Sequence, residues 1–179
     1  MKFYITTDTH FGHRNMEIYC KRPHDFEDRI SKYLFANCKS EDVLIHLGDI
    51  CMGKDEFWHN SFIIPLPCKK WLIRGNHDKK SNNWYLSHGW DFVGDEFLLK
   101  FEGKNILFSH EPVQKRDGVD INIHGHIHNH LERLLNNEFV VEGEKERNSN
   151  WLDSYDKKYH KLISLEEIDY KSIDLSNLI

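Results

Sequence analysis

Five short apolar runs, each followed at once by residues that bind metal ions or move protons, constrain the fold of this chain. The runs are Phe3–Ile5, Val43–Leu47, Trp71–Ile73, Ile106–Phe108 and Ile121–Ile123. Short runs rich in Ile, Val, Leu and Phe are typical of buried strands. Because ligands bind at the carboxyl ends of strands in an open α/β sheet, we expect the polar residues to meet at one sheet edge.

The polar fragments after these runs contain the candidate functional residues. They are Asp8-Thr9-His10, Gly48-Asp49, Gly75-Asn76-His77-Asp78, His110 and Gly125-His126-Ile127-His128. Mixed carboxylate, amide and imidazole donors suit Mn, Fe, Ni or Zn better than an ion bound by oxygen alone. The seven candidate ligands are too many for one tetrahedral ion, and they predict two ions bridged by one carboxylate. They are Asp8, His10, Asp49, Asn76, His110, His126 and His128.

The segments between the apolar runs predict helices that alternate with strands. The predicted elements are helices at Phe26–Asn37 and Lys54–Ile63, and a β-hairpin with strands Glu96–Phe101 and Asn105–Ser109. Asp25 is the expected N-cap of the first helix. Alternation in the first half predicts parallel strands, and the hairpin predicts antiparallel pairing. The expected fold is therefore a layered α/β domain with a mixed sheet or two packed sheets.

The C-terminal part of the chain gives weaker patterns. Phe139–Val141 and His160–Ser164 are candidate strands, and Leu165 could begin a short terminal helix. The polar, charged segment 142–158 predicts a loop insertion. With 179 residues, the chain is expected to form a single domain over residues 1–179.

Composition and charge exclude some classes of function. The net charge of −5 argues against an extended nucleic-acid surface or an acidic membrane as partner. No apolar stretch approaches the roughly 20 residues needed to span a bilayer, and Phe3 already starts a strand, so no signal peptide is expected. The four cysteines have no C-x-x-C spacing, as expected for free thiols of a cytoplasmic protein.

Taken in order, the fragments D-x-H, G-D, G-N-H-D, H and G-H-x-H resemble the calcineurin-like metallophosphoesterases, especially small bacterial and bacteriophage-type members. The resemblance implies mixed β-sheets in a β-sandwich core flanked by helices, with a dimetal site at the strand ends. It also implies two divalent ions, with Mn favoured over Fe, Ni or Zn. By position, Asp8, His10, Asp49 and His128 would hold the first ion, and Asp49, Asn76, His110 and His126 the second.

The resemblance also implies an activity. A metal-bridging hydroxide would attack a phosphate ester in line, with phosphodiesters favoured over phosphomonoesters and nucleotide-like esters among the candidates. His77 would contact the substrate phosphate or protonate the leaving group, and Asp78 would orient His77. After Asp49 the chain continues Ile50-Cys51-Met52, without the further acidic residue of many relatives. That residue is not a ligand, so the expected site is complete without it.

Three basic residues are candidates for substrate binding. His13 lies close to the first fragment, and Arg14 and Arg74 could grip phosphate oxygens because guanidinium groups match that geometry. The alternatives are a loop histidine bonded to backbone and two solvated surface charges. His124 and His130 are expected either to support the site or to be merely polar residues, rather than to bind an ion.

Two other functions remain open at this stage. Some proteins of this fold are non-catalytic interaction scaffolds that have lost the histidine of Gly-Asn-His, which is present here as His77. A nuclease is the second alternative, disfavoured by the negative net charge and the lack of a basic stripe. The substrate, the native metal and the oligomeric state are not specified by the sequence.

Overall fold

Two mixed β-sheets form the centre of the structure, a computed structural model that describes residues 1–136 and 154–179. The strands are β1 (Phe3–Thr6), β2 (Val43–His46), β3 (Lys69–Ile73), β4 (Phe92–Gly94), β5 (Glu96–Phe101), β6 (Lys104–Ser109), β7 (Ile121–His124), β8 (His160–Leu162) and β9 (Ile173–Asp174). The first sheet has the order β4-β3-β2-β1-β9, in which β1 to β4 are parallel and β9 is antiparallel. The second has the order β5-β6-β7-β8, in which β5 is antiparallel and β6 to β8 are parallel.

Five helices lie between the strands. They are α1 (Met16–Tyr19), α2 (Phe26–Asn37), α3 (Asp55–Trp58), α4 (Asn82–Ser87) and α5 (Leu131–Leu135) among the described residues. The first four connect strands of the first sheet, and α5 lies between β7 and β8 of the second sheet. A π-helical segment, His59–Ile63, continues α3, and 3-10 turns lie at His128–His130 and Leu175–Asn177. Among the described residues, no helix has the length and apolar character needed to cross a membrane.

The pattern of burial along β2 shows how the layers assemble. All four residues of β2 are buried, and successive side chains of a strand point to opposite faces. Leu44 packs in the cluster that contains Phe26 and Ile30 of α2. Ile45 packs in a second cluster with Phe108 of β6, which belongs to the other sheet. One face of the first sheet is therefore covered by helices and the other by the second sheet.

The predicted α/β architecture with a β-sandwich core is confirmed. The five apolar runs correspond to strands β1, β2, β3, β6 and β7, although the second run extends one residue, Leu47, beyond the end of β2. The hairpin between β5 and β6 and the helix at Phe26–Asn37 are also confirmed. Asp25 does not cap that helix as expected, because its carboxylate accepts a hydrogen bond from Nε of Arg29 at 2.9 Å.

The prediction of a helix starting at Leu165 was wrong. The chain instead makes consecutive turns, because Asp169 and Tyr170 adopt left-handed backbone angles that a right-handed helix cannot contain. It then forms β9 on the far edge of the first sheet. The predicted strand Phe139–Val141 and most of the 142–158 segment lie outside the described residues.

Candidate metal centre

The loops after β1 and β2 run side by side and bring the first two fragments together. The backbone N–H of Asp8 donates to the carbonyl oxygen of Gly48 at 2.8 Å, and that of His10 donates to Asp49 O at 3.0 Å. Both loops are strained, because Asp8, His10 and Asp49 have φ angles of 48°, 46° and 57°. His126 and His128 are also left-handed, at 71° and 51°. Such strain is characteristic of functional sites, where the fold forces side chains into one place.

The first group of donor atoms comes from Asp8, His10 and His128, which each offer one ligand atom within 4.8 Å of the others. Oδ2 of Asp8 accepts hydrogen bonds from Thr7 Oγ1 and the N–H of His126. Oδ1 of Asp8 is buried without a hydrogen-bond partner, 3.8 Å from Nε2 of both His10 and His128. An unpaired buried carboxylate oxygen is costly, and a bound cation would remove that cost.

The second group combines Asp49, His110 and His126 with Asn76. Nε2 of His110 lies 3.0 Å from Asn76 Oδ1, 3.1 Å from His126 Nδ1 and 3.4 Å from Asp49 Oδ2. Ligand atoms bonded to a first-row ion at roughly 2.0–2.2 Å lie about 3.0–3.5 Å from one another. The spacing and the mixed N and O donors therefore fit a divalent transition-metal ion.

Asp49 lies between the two groups. Its Oδ1 accepts a hydrogen bond from the N–H of His77 at 2.8 Å. Its Oδ2 is 3.7 Å from His10 Nε2 and 3.4 Å from His110 Nε2, so one oxygen faces both groups. Gly75 makes this position possible, because a Cβ atom there would collide with Oδ1 of Asp49.

The ligand histidines have different proton affinities. Burial lowers the pKa of His10 to about 3, so its imidazole is neutral and can offer a lone pair. Burial acts the same way on His110, but the carboxylates of Asp49 and Asp8 outweigh it and raise its pKa to about 9. Nδ1 of His110 lies 2.7 Å from Leu47 O, which leaves Nε2 to face the donor group. An ion that binds there must displace the extra proton.

His77 lies at the edge of the centre. Its Nε2 is 3.9 Å from Asp49 Oδ2, its ring centroid is 5.5 Å from that of His10, and its side chain is 38% exposed. It is thus close to the donor groups and accessible from solvent.

Asp78 has contacts that differ from the expectation that it orients His77. Its Oδ2 accepts from the N–H groups of Asp49 and Gly75, both at 2.8 Å, and its Oδ1 accepts from Ile50 at 3.1 Å. Asp78 therefore joins the loops after β2 and β3 rather than holding the His77 ring. Burial raises its pKa to about 6.

The three predicted substrate-binding residues separate into two kinds. His13 lies at the centre, with its ring centroid 5.4 Å from that of His10 and a buried, unpartnered Nδ1. Arg14 forms ion pairs with Glu17 at 3.6 Å and with a second surface carboxylate, Glu27, at 3.7 Å. Arg74 binds Asp95 through Nε and Nη2. Both arginines are thus paired with nearby carboxylates, as the alternative of surface charges expects, and their contact with substrate stays a prediction.

His124 and His130 belong to neither donor group. His124 is fully buried, with Nδ1 2.9 Å from Gly125 O and Nε2 3.0 Å from the Tyr155 hydroxyl. Nε2 of His130 lies 3.7 Å from Cys20 Sγ. Both contact parts of the chain next to the centre, so a supporting role for them stays a prediction.

Two residues that the sequence analysis missed surround the first donor group. The Arg22 side chain has no exposed surface, and it donates to Asp8 O at 2.8 Å and Thr9 O at 3.1 Å. Its Nε also donates to Glu166 Oε1 at 2.8 Å. Burial raises the pKa of Glu166, but His128 and Arg22 outweigh it and hold the pKa well below its usual range. The two residues are 144 positions apart, so no local pattern could have paired them.

The fold and the two donor groups define the class of protein. Residues 1–145 match the family model for the calcineurin-like phosphoesterase superfamily domain, and the chain belongs to that superfamily. An uncharacterized protein of Methanocaldococcus jannaschii is 28% identical to it over 99% of this chain and 89% of the relative. The crystal structure of a protein of unknown function from Aquifex aeolicus superposes with a TM-score of 0.72 at 26% identity, covering 99% of both chains.

A solved archaeal phosphodiesterase is a more distant relative. It shares 20% identity over 70% of this chain and 73% of its own length, with a TM-score of 0.48.

Proposed function

We propose that this protein hydrolyses phosphate esters with the help of two divalent metal ions, and that phosphodiesters are its preferred substrates. The main support is the position of Asp49, whose Oδ2 faces both donor groups. A single carboxylate between two sets of imidazole and oxygen donors is the arrangement that a dimetal site requires.

The proposed ligands divide between the two ions as the family pattern implies. Asp8, His10, Asp49 and His128 would hold one ion, and Asp49, Asn76, His110 and His126 the other. Bound ions would supply an activated water at neutral pH and would withdraw charge from the phosphoryl oxygens. The mixed carboxylate, amide and imidazole donors are compatible with Mn, Fe, Ni or Zn, and Mn²⁺ is favoured among them because of the family resemblance.

His77 is the proposed proton donor to the leaving group. Its ring is partly exposed, lies beside His10 and has Nε2 3.9 Å from the shared carboxylate of Asp49. A proton delivered from this position to the departing oxygen would avoid release of an unstable alkoxide. Asp78 contributes indirectly, because its carboxylate fixes the loops that contain Asp49 and Gly75.

The proposed preference for diesters is supported by the positions of three arginines among the described residues. Arg14 and Arg74 pair with carboxylates near the surface, and the buried Arg22 faces backbone carbonyls and Glu166. A phosphomonoester dianion has a second negative charge, which enzymes commonly bind with an arginine fork. A diester has one negative charge and needs no such partner. The pairing of these three arginines therefore favours a diester as the substrate.

The test compares bis-(p-nitrophenyl) phosphate with p-nitrophenyl phosphate, with Mn²⁺ and with a chelator. Wild-type protein should turn over the diester faster and only with metal, and Asp49→Asn should remove turnover. Asp95→Asn is the matched control, because Asp95 is an exposed carboxylate paired with Arg74. Unchanged activity in Asp49→Asn would refute the proposal. A protein that binds two ions but cleaves no ester would favour the scaffold alternative.

A further inference from the structure

The contact between Glu166 and His128 has a consequence for the first donor group. Glu166 lies in the turns between β8 and β9, beyond residues 1–145 that match the family model, so the family pattern assigns it no role. Its side chain is 5% exposed, and its Oε1 lies 3.3 Å from Nδ1 of His128. The other ring nitrogen of His128, Nε2, faces Oδ1 of Asp8.

The two nitrogens of a neutral imidazole cannot both present a lone pair. An ion bound at Nε2 of His128 therefore requires the proton on Nδ1, where an acceptor must receive it. Oε1 of Glu166 is such an acceptor. Nη2 of Arg22 lies 3.5 Å from the same Nδ1, but an arginine can only donate and would favour the opposite tautomer. Glu166 is thus the neighbour that favours the metal-binding form.

Further contacts hold Glu166 in place. Oε1 accepts from Nε of Arg22 at 2.8 Å, and Oε2 accepts from the Ser164 hydroxyl at 2.9 Å. His128 itself has a left-handed backbone, so regular secondary structure does not fix the direction of its ring. A rigid carboxylate at Nδ1 supplies that orientation.

We infer that Glu166 is a positioning residue for the first metal ion, acting through His128. The inference rests on the proposed function, because it requires that His128 bind an ion. Carboxylates behind metal-binding histidines typically change metal affinity by about 10- to 100-fold. The effect should be confined to the ion held by His128.

The experiment is calorimetric titration of Mn²⁺ into metal-free wild-type protein and into Glu166→Gln. We expect the variant to bind one of two ions about 10- to 100-fold more weakly and the other unchanged. Glu167→Gln, an exposed neighbouring carboxylate, is the matched control and should bind both ions normally. Equal weakening of both ions, or no weakening, would overturn the inference.

A second experiment, in which Glu166→Gln is combined with His128→Ala, distinguishes a positioning role of Glu166 from a purely structural one. In His128→Ala, adding Glu166→Gln should leave the affinity for the remaining ion unchanged, because residues that act through one another are not additive. A further loss there would mean that Glu166 acts by another route. If Glu166→Gln does not fold, Ser164→Ala decides, since it loosens the carboxylate without removing its charge. We expect Ser164→Ala to weaken the same ion several-fold, and unchanged affinity would overturn the inference.

Failure of the proposed function gives a different result. Wild-type protein that binds none of Mn²⁺, Fe²⁺, Ni²⁺ and Zn²⁺ would refute the metal-dependent mechanism itself. Wild-type protein that binds two ions, with the same affinities in Glu166→Gln, would refute only the role of Glu166.

Discussion

Replacing Arg22 by Met should destabilise the metal-free protein by about 4 kcal/mol, because removing one partner of a buried ion pair typically costs about 3–5 kcal/mol. The Arg22 side chain is 0% exposed and Glu166 only 5%, so the carboxylate left behind would remain buried without its charge partner. The carbonyl oxygens of Asp8 and Thr9 would also lose their donors. Met fills much of the aliphatic volume of Arg, so the loss should come from the polar contacts rather than from a cavity.

The assay is urea unfolding followed by circular dichroism in the presence of a chelator, so that bound metal does not contribute to stability. Arg29→Met is the matched control, since Arg29 is 45% exposed and pairs with Asp25 at the surface. Such pairs contribute about 0–1 kcal/mol. Arg22→Met combined with Glu166→Leu should cost clearly less than the sum of the single changes, because no charge remains buried. Equal losses for Arg22→Met and Arg29→Met, or strictly additive double-variant losses, would refute the reasoning.

Three further predictions address the site and the pH dependence. Gly75→Ala should weaken Mn²⁺ binding at least tenfold, because the added Cβ would overlap Oδ1 of Asp49. The control is Gly103→Ala, which has nothing near the added Cβ and should not alter the affinity for Mn²⁺. His77→Ala should slow the cleavage of alkyl esters by about 10²–10⁴-fold. It should slow the cleavage of p-nitrophenyl esters much less, since nitrophenolate leaves without a proton. Equal losses for the two kinds of ester would contradict the proton-donor role. Burial lowers the pKa of His59 to about 4, below the value of about 6.5 in the unfolded chain. The neutral His59 therefore contributes to stability above pH 6.5, and this contribution is lost as the pH falls towards 4. From pH 7.5 to 5.5 the unfolding free energy of the wild type should fall by roughly 1 kcal/mol more than that of His59→Gln, and equal falls in the two proteins would contradict the prediction.

The sequence predicted the central strands and the convergence of the metal donors because both depend on local patterns. Val43–Leu47 is apolar apart from His46, since β2 is covered on both faces, and Gly48 after it permits the sharp turn at Asp49. Parallel strands then bring their ends together, whatever the loops between them.

Contacts between distant segments were not predictable in this way. Arg22 and Glu166 look like ordinary surface charges in the sequence, and only the packing of the C-terminal turns against the loop after α1 buries them together. The roles of Arg14 and Arg74 were hard to predict for a different reason. Each has a carboxylate within reach at the surface, and the choice between that partner and a substrate depends on side-chain direction.

Five residues of the candidate metal centre have a left-handed backbone, which lowers stability at the positions that supply the candidate donors. They are Asp8, His10, Asp49, His126 and His128. Holding a non-glycine residue in this conformation costs about 1–2 kcal/mol, less for Asp, Asn and His, whereas Gly adopts it freely. Replacing one of these candidate ligands by Gly would relieve that cost and remove a candidate metal donor in the same step. Selection for heat resistance alone would therefore favour loss of the candidate metal centre, and thermostable variants of this chain should be screened for metal binding.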